Sequence, residues 1–504
     1  MNSPTDPPRP PTRARSFVRR VVWLIRSVVL ILIIGATIAL TLIFTAAFRA
    51  RSLPPLESWH RASPASDFRA RDAKSITTLA QYLALEDRVF NELKAFDLTP
   101  QQAAEMPWAA RYIPGNPLHP ESFSHNWNRT TILEPDGTPR GTALLLHGAT
   151  DSPFSFRAIG QIMQSEGWRV ICLRLPGHGT TPAGIMEIDW RDWQAAINLV
   201  ARDIKATTPD DHPVIVGGFS LGGALALRFA LDATEDATLP MPERVFLFSP
   251  AVGVSSMARF AEAAMIPTVL PYFEKARWLG IAPEFDPFKY NSFPKRAGFE
   301  VWAVTARNLR DMESLAAQNR LAELPAITAF ASVVDTTVDN DRLLRLLKVV
   351  PAKGSDITLF DINRRPRFER FFRMDVDVGR DLLNQAEPLG FDLTLITNAD
   401  LNTIDLIART RLSGQSAITD RPTELAWTRG VLSLSHSAIP FSPDDPVYGP
   451  NVEQDEQHPI AIGAMVIRSE RGALTLGAET LMRMRFNPFF DIVEKGVRAR
   501  LPRP

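Results

Sequence analysis

The chain has 504 residues, with 56 Lys and Arg against 56 Asp and Glu, so its formal net charge is zero. That balance, with no basic stripe beyond the N-terminus, argues against a nucleic-acid-binding protein, and a 45% hydrophobic content argues against a disordered one. A single cysteine, Cys172, excludes an internal disulfide, and no Cys/His cluster has metal-ligand spacing; the chemistry expected below needs no metal or organic cofactor.

In chain order, residues 1–20 are rich in proline and arginine and read as disordered, the start of a basic tail running to residue 26. Ser27 to Phe48 is a run of 22 residues without a charge, long enough to span a bilayer as a helix. Arg9, Arg13, Arg15, Arg19, Arg20 and Arg26 precede it, and only Arg49, Arg51 and Arg61 follow closely. This bias predicts a single-pass anchor with a cytoplasmic N-terminus and an extracytoplasmic remainder, periplasmic if the chain is bacterial. A cleaved signal peptide is the alternative, although the apolar run is long for one and Thr45-Ala46-Ala47 is only a passable cleavage site.

Residues 49–128 read as a tether and helical extension. Residues 52–78 contain Pro, Ser and Arg, residues 79–96 have helical periodicity, and residues 97–128 form a Pro-rich connector. From 129 to 250 strands and helices alternate. Strands are expected at Thr142–Leu146, 168–173, 213–217 and Glu243–Phe248, with helices near 155–166 and 189–206. The alternation predicts an α/β fold with a mostly parallel sheet flanked by helices. Residues 251–323, with Met257, Phe260, Met265, Ile266, Val269, Leu270, Tyr272 and Phe273, read as a helical cap over the strand ends. The core resumes at 324–504 with a strand at Ile327–Val334. Residues 351–430 read as an insertion that holds strands at Ile357–Phe360 and Phe391–Ile396.

Gly218-Phe219-Ser220-Leu221-Gly222 is the most informative motif. It joins an apolar strand to a helical run, Gly223 to Ala230, which is the context that gives G-x-S-x-G meaning. A serine lifted out of the sheet at a helix N-terminus is set up as a nucleophile. It needs a base, and the base needs an orienting acid. In this architecture the order is Ser, acid, His. Only His436 and His458 follow Ser220. His436 ends an apolar stretch, Val431-Leu432-Ser433-Leu434-Ser435, and is the expected base, while His458 lies in a polar segment. Asp335 directly follows Val333-Val334 and is the expected acid, with Asp339 and Asp341 as neighbouring alternatives. The oxyanion donors are expected to be the backbone N–H groups of Leu221 and of Ala149, in the loop Leu146-His147-Gly148-Ala149-Thr150. His147 is read as holding that loop.

Several motifs occur together. Leu144 to Pro153 resembles the oxyanion loop of α/β-hydrolases. Leu173-Arg174-Leu175-Pro176-Gly177-His178-Gly179 resembles a loop of the monoacylglycerol lipase and bacterial carboxylesterase branch, which adjoins serine aminopeptidase-like members. Asp189-Trp190-Arg191-Asp192-Trp193 is similar to the tryptophan-bearing helix that follows there. The resemblance covers about residues 130–250 densely and implies an α/β-hydrolase fold, with Ser220 as nucleophile, Asp335 as acid, His436 as base, and Ala149 and Leu221 as the oxyanion hole. His178 and the tryptophans are read as packing residues. The chain departs from the family in the 101 positions between Asp335 and His436. The expectation is therefore a membrane-anchored serine hydrolase cleaving small-molecule or lipid carboxylic esters through an acyl-enzyme. Thioesterase, amidase and peptidase activities share the same triad. A non-catalytic binding protein that kept the fold is the alternative of another class.

Overall fold

The computed structural model describes residues 12–253, 263–335, 337–338, 340–350, 354–366, 377–428, 431–450 and 485–502. The first helix, α1, spans Thr12–Ala50. It starts within the stretch expected to be disordered, and arginine, a good helix former, extends the apolar helix backwards. Its Arg19–Ala50 portion is long and apolar enough to cross a membrane, and its most apolar window is not buried in the protein.

The segment that reads as a tether is packed. The short helix α2 (Ser58–Arg61) sets Trp59 and His60 into the protein. Trp59 stacks on Tyr112 at 4.7 Å, and His60 Nε2 is 3.0 Å from Ser292 Oγ. Helix α3 (Leu79–Leu93) is capped by Thr78, whose side chain accepts from Gln81 N. The helix α4 (Pro100–Glu105) lies in the expected connector.

Strands β1 (Thr131–Leu133), β2 (Thr142–Leu146), β3 (Arg169–Leu173), β4 (Val214–Phe219) and β5 (Arg244–Phe248) follow, with helices α5 (Arg157–Ser165), α6 (Trp190–Thr207) and α7 (Leu221–Glu235) between them. After β5 come two 3-10 segments, Ala263–Val269 and Pro271–Arg277. A small hairpin of β6 (Trp278–Gly280) and β7 (Phe293–Pro294) and the helix α8 (Lys295–Ala317) complete this region. The sheet resumes with β8 (Ala326–Ser332), helix α9 (Asn340–Val349), β9 (Asp356–Phe360), helix α10 (Val378–Asn384), β10 (Asp392–Asn398), β11 (Asp405–Arg411) and β12 (Ile418–Ala426), and helix α11 (Phe490–Arg500) follows.

Ten strands form one sheet in the order β1-β3-β2-β4-β5-β8-β9-β10-β11-β12. Pairing is parallel from β3 to β10 and antiparallel at both ends. The 351–430 stretch therefore supplies four strands that widen the sheet, rather than a body standing apart from it. The central strands are buried along their length, as their near-continuous apolar runs require. Alternate residues feed the two sides. Leu144, Leu146 and Val216 pack with α6, α7 and α9, while Ala143, Leu145, Ile215 and Phe246 pack with α5 and α11.

Candidate active site

The carboxyl ends of β2, β4 and β8 lie on the same edge of the sheet, and the turns leaving them carry Ala149, Ser220 and Asp335. Ser220 follows β4 directly and has φ 53° and ψ −115°, a conformation a residue with a side chain rarely adopts. It is held there from both sides. Its N–H donates to Phe248 O at 3.1 Å, and its carbonyl accepts from Gly223 N at 3.0 Å and Ala251 N at 2.9 Å. The flanking glycines are sterically required. A Cβ on Gly218 would lie 2.0 Å from Gly222 O, and one on Gly222 would lie 1.7 Å from Leu146 O. Helix α7 can approach the sheet this closely because its first turns are Gly222, Gly223, Ala224 and Ala226, all buried.

Asp335 sits three residues beyond β8. Its Oδ1 accepts from the N–H groups of Thr337 (2.9 Å) and Val338 (3.3 Å). Its Oδ2 is 2.7 Å from His436 Nδ1. A carboxylate accepts here, so Nδ1 carries a proton, and in the neutral imidazole Nε2 is the nitrogen with the lone pair. The imidazole is buried, with its ring centroid 5.4 Å from that of Phe219, the residue before Ser220. Of the alternatives, Asp341 lies exposed in the first turn of α9, and Asp339 and His458 lie outside the described residues.

The 101 intervening positions are accommodated by a return path. The loop after β9 grips the segment before His436: Asn363 N donates to Leu432 O at 2.8 Å, and Asn363 Nδ2 donates to Val431 O at 3.2 Å. Since β9 lies beside β8, this clamp delivers His436 to the strand end that holds Asp335. Asn363 was not singled out from the sequence. An isolated asparagine in a polar loop carries no local signal, and its role follows from a partner 68 positions away.

The β2 loop lies against the turn that carries Ser220, with Gly148 so close to Phe219 that a Cβ would sit 3.2 Å from its ring. Thr150 has φ 65°, and its carbonyl accepts from Tyr290 N at 2.7 Å. Among the described residues the N–H groups of Ala149 and Leu221 have no protein acceptor. At Leu221 this is the ordinary state of the first residue of a helix. His147 is fully buried and its pKa is lowered to about 3, chiefly by burial. Its Nδ1–H donates to Gly148 O at 3.0 Å and its Nε2 accepts from Leu175 N at 3.0 Å, so both nitrogens fix loops. Burial likewise drives His178 well below its ordinary value, and its ring lies against those of His147 and Trp193.

The β3 loop is anchored to the N-terminal extension by a buried ionic cluster. Arg174 donates to Asp67 Oδ1 at 2.7 Å and to Glu86 Oε1 at 3.3 Å. Glu86 also accepts from Thr130 N and Oγ1. Lys289, between β6 and β7, pairs with Asp151 of the β2 loop. A cleft of about 520 Å³ between α6, α7 and α8 is lined by Arg228, Asp232, Arg296, Glu300 and Arg307 and lies away from Ser220. Among the described residues no group of three His, Cys, Asp or Glu is placed to hold a metal ion.

A mostly parallel sheet with flanking helices and a serine on a strained strand-to-helix turn after a central strand are features of the α/β-hydrolase fold. Residues 143–385 match the family described as "Alpha/beta hydrolase family", and this part of the chain is an α/β-hydrolase domain. The chain is 32% identical over 87 residues to a thermostable monoacylglycerol lipase of Bacillus sp. (strain H-257), covering 17% of this chain and 34% of that protein. It is 28% identical over 116 residues to phospholipase YtpA of Bacillus subtilis (strain 168), covering 23% and 42% respectively. The chain thus spans well under half the length of these relatives. Among solved structures, it is similar to a monoacylglycerol lipase of Paleococcus ferrophilus at a TM-score of 0.35 and 17% identity, over 46% of this chain and 88% of that one.

Proposed function

We propose that the protein is a serine hydrolase that cleaves carboxylic esters. Ser220 is the nucleophile, His436 the base and Asp335 its orienting acid. The observation that carries this reading is the coincidence of the Ser220 backbone at φ 53° after β4 with the buried 2.7 Å Asp335–His436 contact after β8, the two strands flanking β5.

In the first half-reaction, Ser220 Oγ attacks the ester carbonyl carbon and His436 Nε2 takes the hydroxyl proton. The negative charge forming on the carbonyl oxygen is met by the N–H groups of Ala149 and Leu221, and each such donor is worth about 3–4 kcal/mol in the transition state. The tetrahedral species collapses as His436 passes its proton to the leaving alkoxide, which departs as the alcohol. Water then attacks the acyl-enzyme, giving up its proton to His436, and Ser220 recovers a proton as the carboxylic acid leaves. Asp335 accepts from Nδ1 throughout, so Nε2 is the nitrogen that takes up and returns the proton.

The relatives named as a monoacylglycerol lipase and a phospholipase make an acyl lipid the favoured substrate class, and α1 would anchor the enzyme to a membrane with the catalytic domain on its extracytoplasmic side. The test is turnover of p-nitrophenyl esters of graded chain length by the full chain and by Ser220→Ala. Hydrolysis that vanishes in the variant supports the reading, and hydrolysis that persists refutes it.

A further inference from the structure

The segment after β5 has an outward face unlike the rest of the surface. Twelve large apolar side chains outside α1 are exposed among the described residues, and five of them, Ile266, Val269, Leu270, Tyr272 and Leu279, fall within residues 266–279. Val269 is the most exposed, at 83%. A cluster this dense marks a surface that meets something apolar.

The same segment is fastened to the end of α1. Phe273 packs edge-on against Phe44 (5.8 Å) and Phe48 (5.2 Å), and Tyr272 against Phe48 (6.4 Å). Ala47 and Ala50 of α1 are buried with Phe273 and Ala276. Lys275 Nζ donates to Leu53 O at 2.6 Å, and the Arg51 guanidinium lies 3.8 Å over the Tyr272 ring. Beyond α1, Leu56 packs with Trp278 and Ile281, so the chain leaving the helix lies along the cap instead of swinging free.

This attachment fixes depth. If the charge-free run ending at Phe48 fills the hydrocarbon layer, Phe44 lies about 6 Å inside its boundary, at 1.5 Å of rise per residue. Phe273 touches both rings, so its segment sits at the boundary itself. The residues around it have the composition such a position favours: aliphatic side chains facing out, a tyrosine, and exposed Arg49, Arg51 and Arg277 at the rim. The chain leaving β5 passes Ser220, where Ala251 N donates to Ser220 O at 2.9 Å, fifteen positions before Ile266.

We propose that the 266–279 face of the cap is seated in the lipid–water interface next to the exit of α1, so that the enzyme takes acyl substrates from the leaflet on which it rests. The proposal rests on the anchored ester-hydrolase reading above and adds the surface through which it meets lipid.

The test uses the full chain in lipid nanodiscs. Cys172 is fully buried and its thiol is pushed up by burial, so an environment-sensitive fluorophore can be directed to Val269→Cys, with Asp210→Cys at the opposite end of β4 as reference. Quenching by nitroxide-labelled lipid is expected at 269 and not at 210. Equal quenching at both positions overturns the proposal. So does apolar emission at 269 that lipid does not quench and that is lost on dilution, which would make a second copy of the chain the occupant. In a second arm, the double variant Val269→Asp, Leu270→Asp is expected to lose about tenfold or more in turnover of monooleoylglycerol held in vesicles, with p-nitrophenyl acetate turnover unchanged. Unchanged vesicle turnover overturns the proposal. Lipid quenching at 269 in a protein that hydrolyses neither ester would uphold the docked surface and defeat the hydrolase reading.

Discussion

Replacing Asp335 with asparagine changes one atom, and the structure dictates which way the new amide must face. Oδ1 accepts from two backbone donors, Thr337 N and Val338 N. An NH2 group there would confront two N–H groups, so the amide oxygen must occupy that position. The NH2 then occupies the site of Oδ2, 2.7 Å from His436 Nδ1. It can only donate, so Nδ1 must accept and the imidazole proton moves to Nε2. The nitrogen that should take the Ser220 proton is then already protonated. The fold is preserved, but the base is in the wrong tautomer, and the cost of that arrangement is about ten-thousandfold in kcat, or roughly 5 kcal/mol of transition-state stabilisation. The assay is p-nitrophenyl acetate hydrolysis by the full chain in detergent, with melting temperature monitored in parallel. A well-folded Asp335→Asn variant within tenfold of wild type would refute the reasoning.

Other perturbations have equally definite outcomes. Asn363→Ala removes the side-chain clamp on Val431 while leaving the backbone bond to Leu432. It should lower kcat about two- to tenfold with KM unchanged, the worth of one hydrogen bond holding His436 in place, and steady-state kinetics will show it. Arg174→Met strands the carboxylates of Asp67 and Glu86 in the interior. Breaking a buried ionic cluster in this way should destabilise the protein by about 3–5 kcal/mol, read as a lowered denaturation midpoint. His147 is held neutral with its pKa near 3, whereas its unfolded counterpart titrates at about 6.5. Below that pH the unfolded state binds the extra proton, so this group's contribution is full above about pH 6.5 and is lost as pH falls toward about 3. The drop in melting temperature on acidification should therefore be smaller in His147→Asn than in wild type.

Much of the fold was legible because its signals are local. The runs at 142–146 and 213–217 are apolar throughout, as strands buried on both faces must be, and the Gly-x-Ser-x-Gly pattern marks a turn that tolerates no Cβ at Gly218 or Gly222. The candidate acid and base are picked from chain order, and the two side chains are in contact. Other features were illegible for physical reasons. Strand β12 is largely exposed and polar at the edge of the sheet, so neither alternation nor an apolar run announces it. The 52–78 segment reads as a loose tether because what holds it is tertiary: Asp67 meets Arg174 across 107 positions, and His60 meets Ser292 across 232. The clamp at Asn363 is of the same kind.

The most direct test of the central claim is reaction of the full chain with a fluorophosphonate probe, followed by peptide mapping. Labelling at Ser220 that disappears in both Ser220→Ala and His436→Ala is the predicted result. A folded wild-type protein that stays unlabelled, or one labelled equally in the His436→Ala variant, would contradict the account.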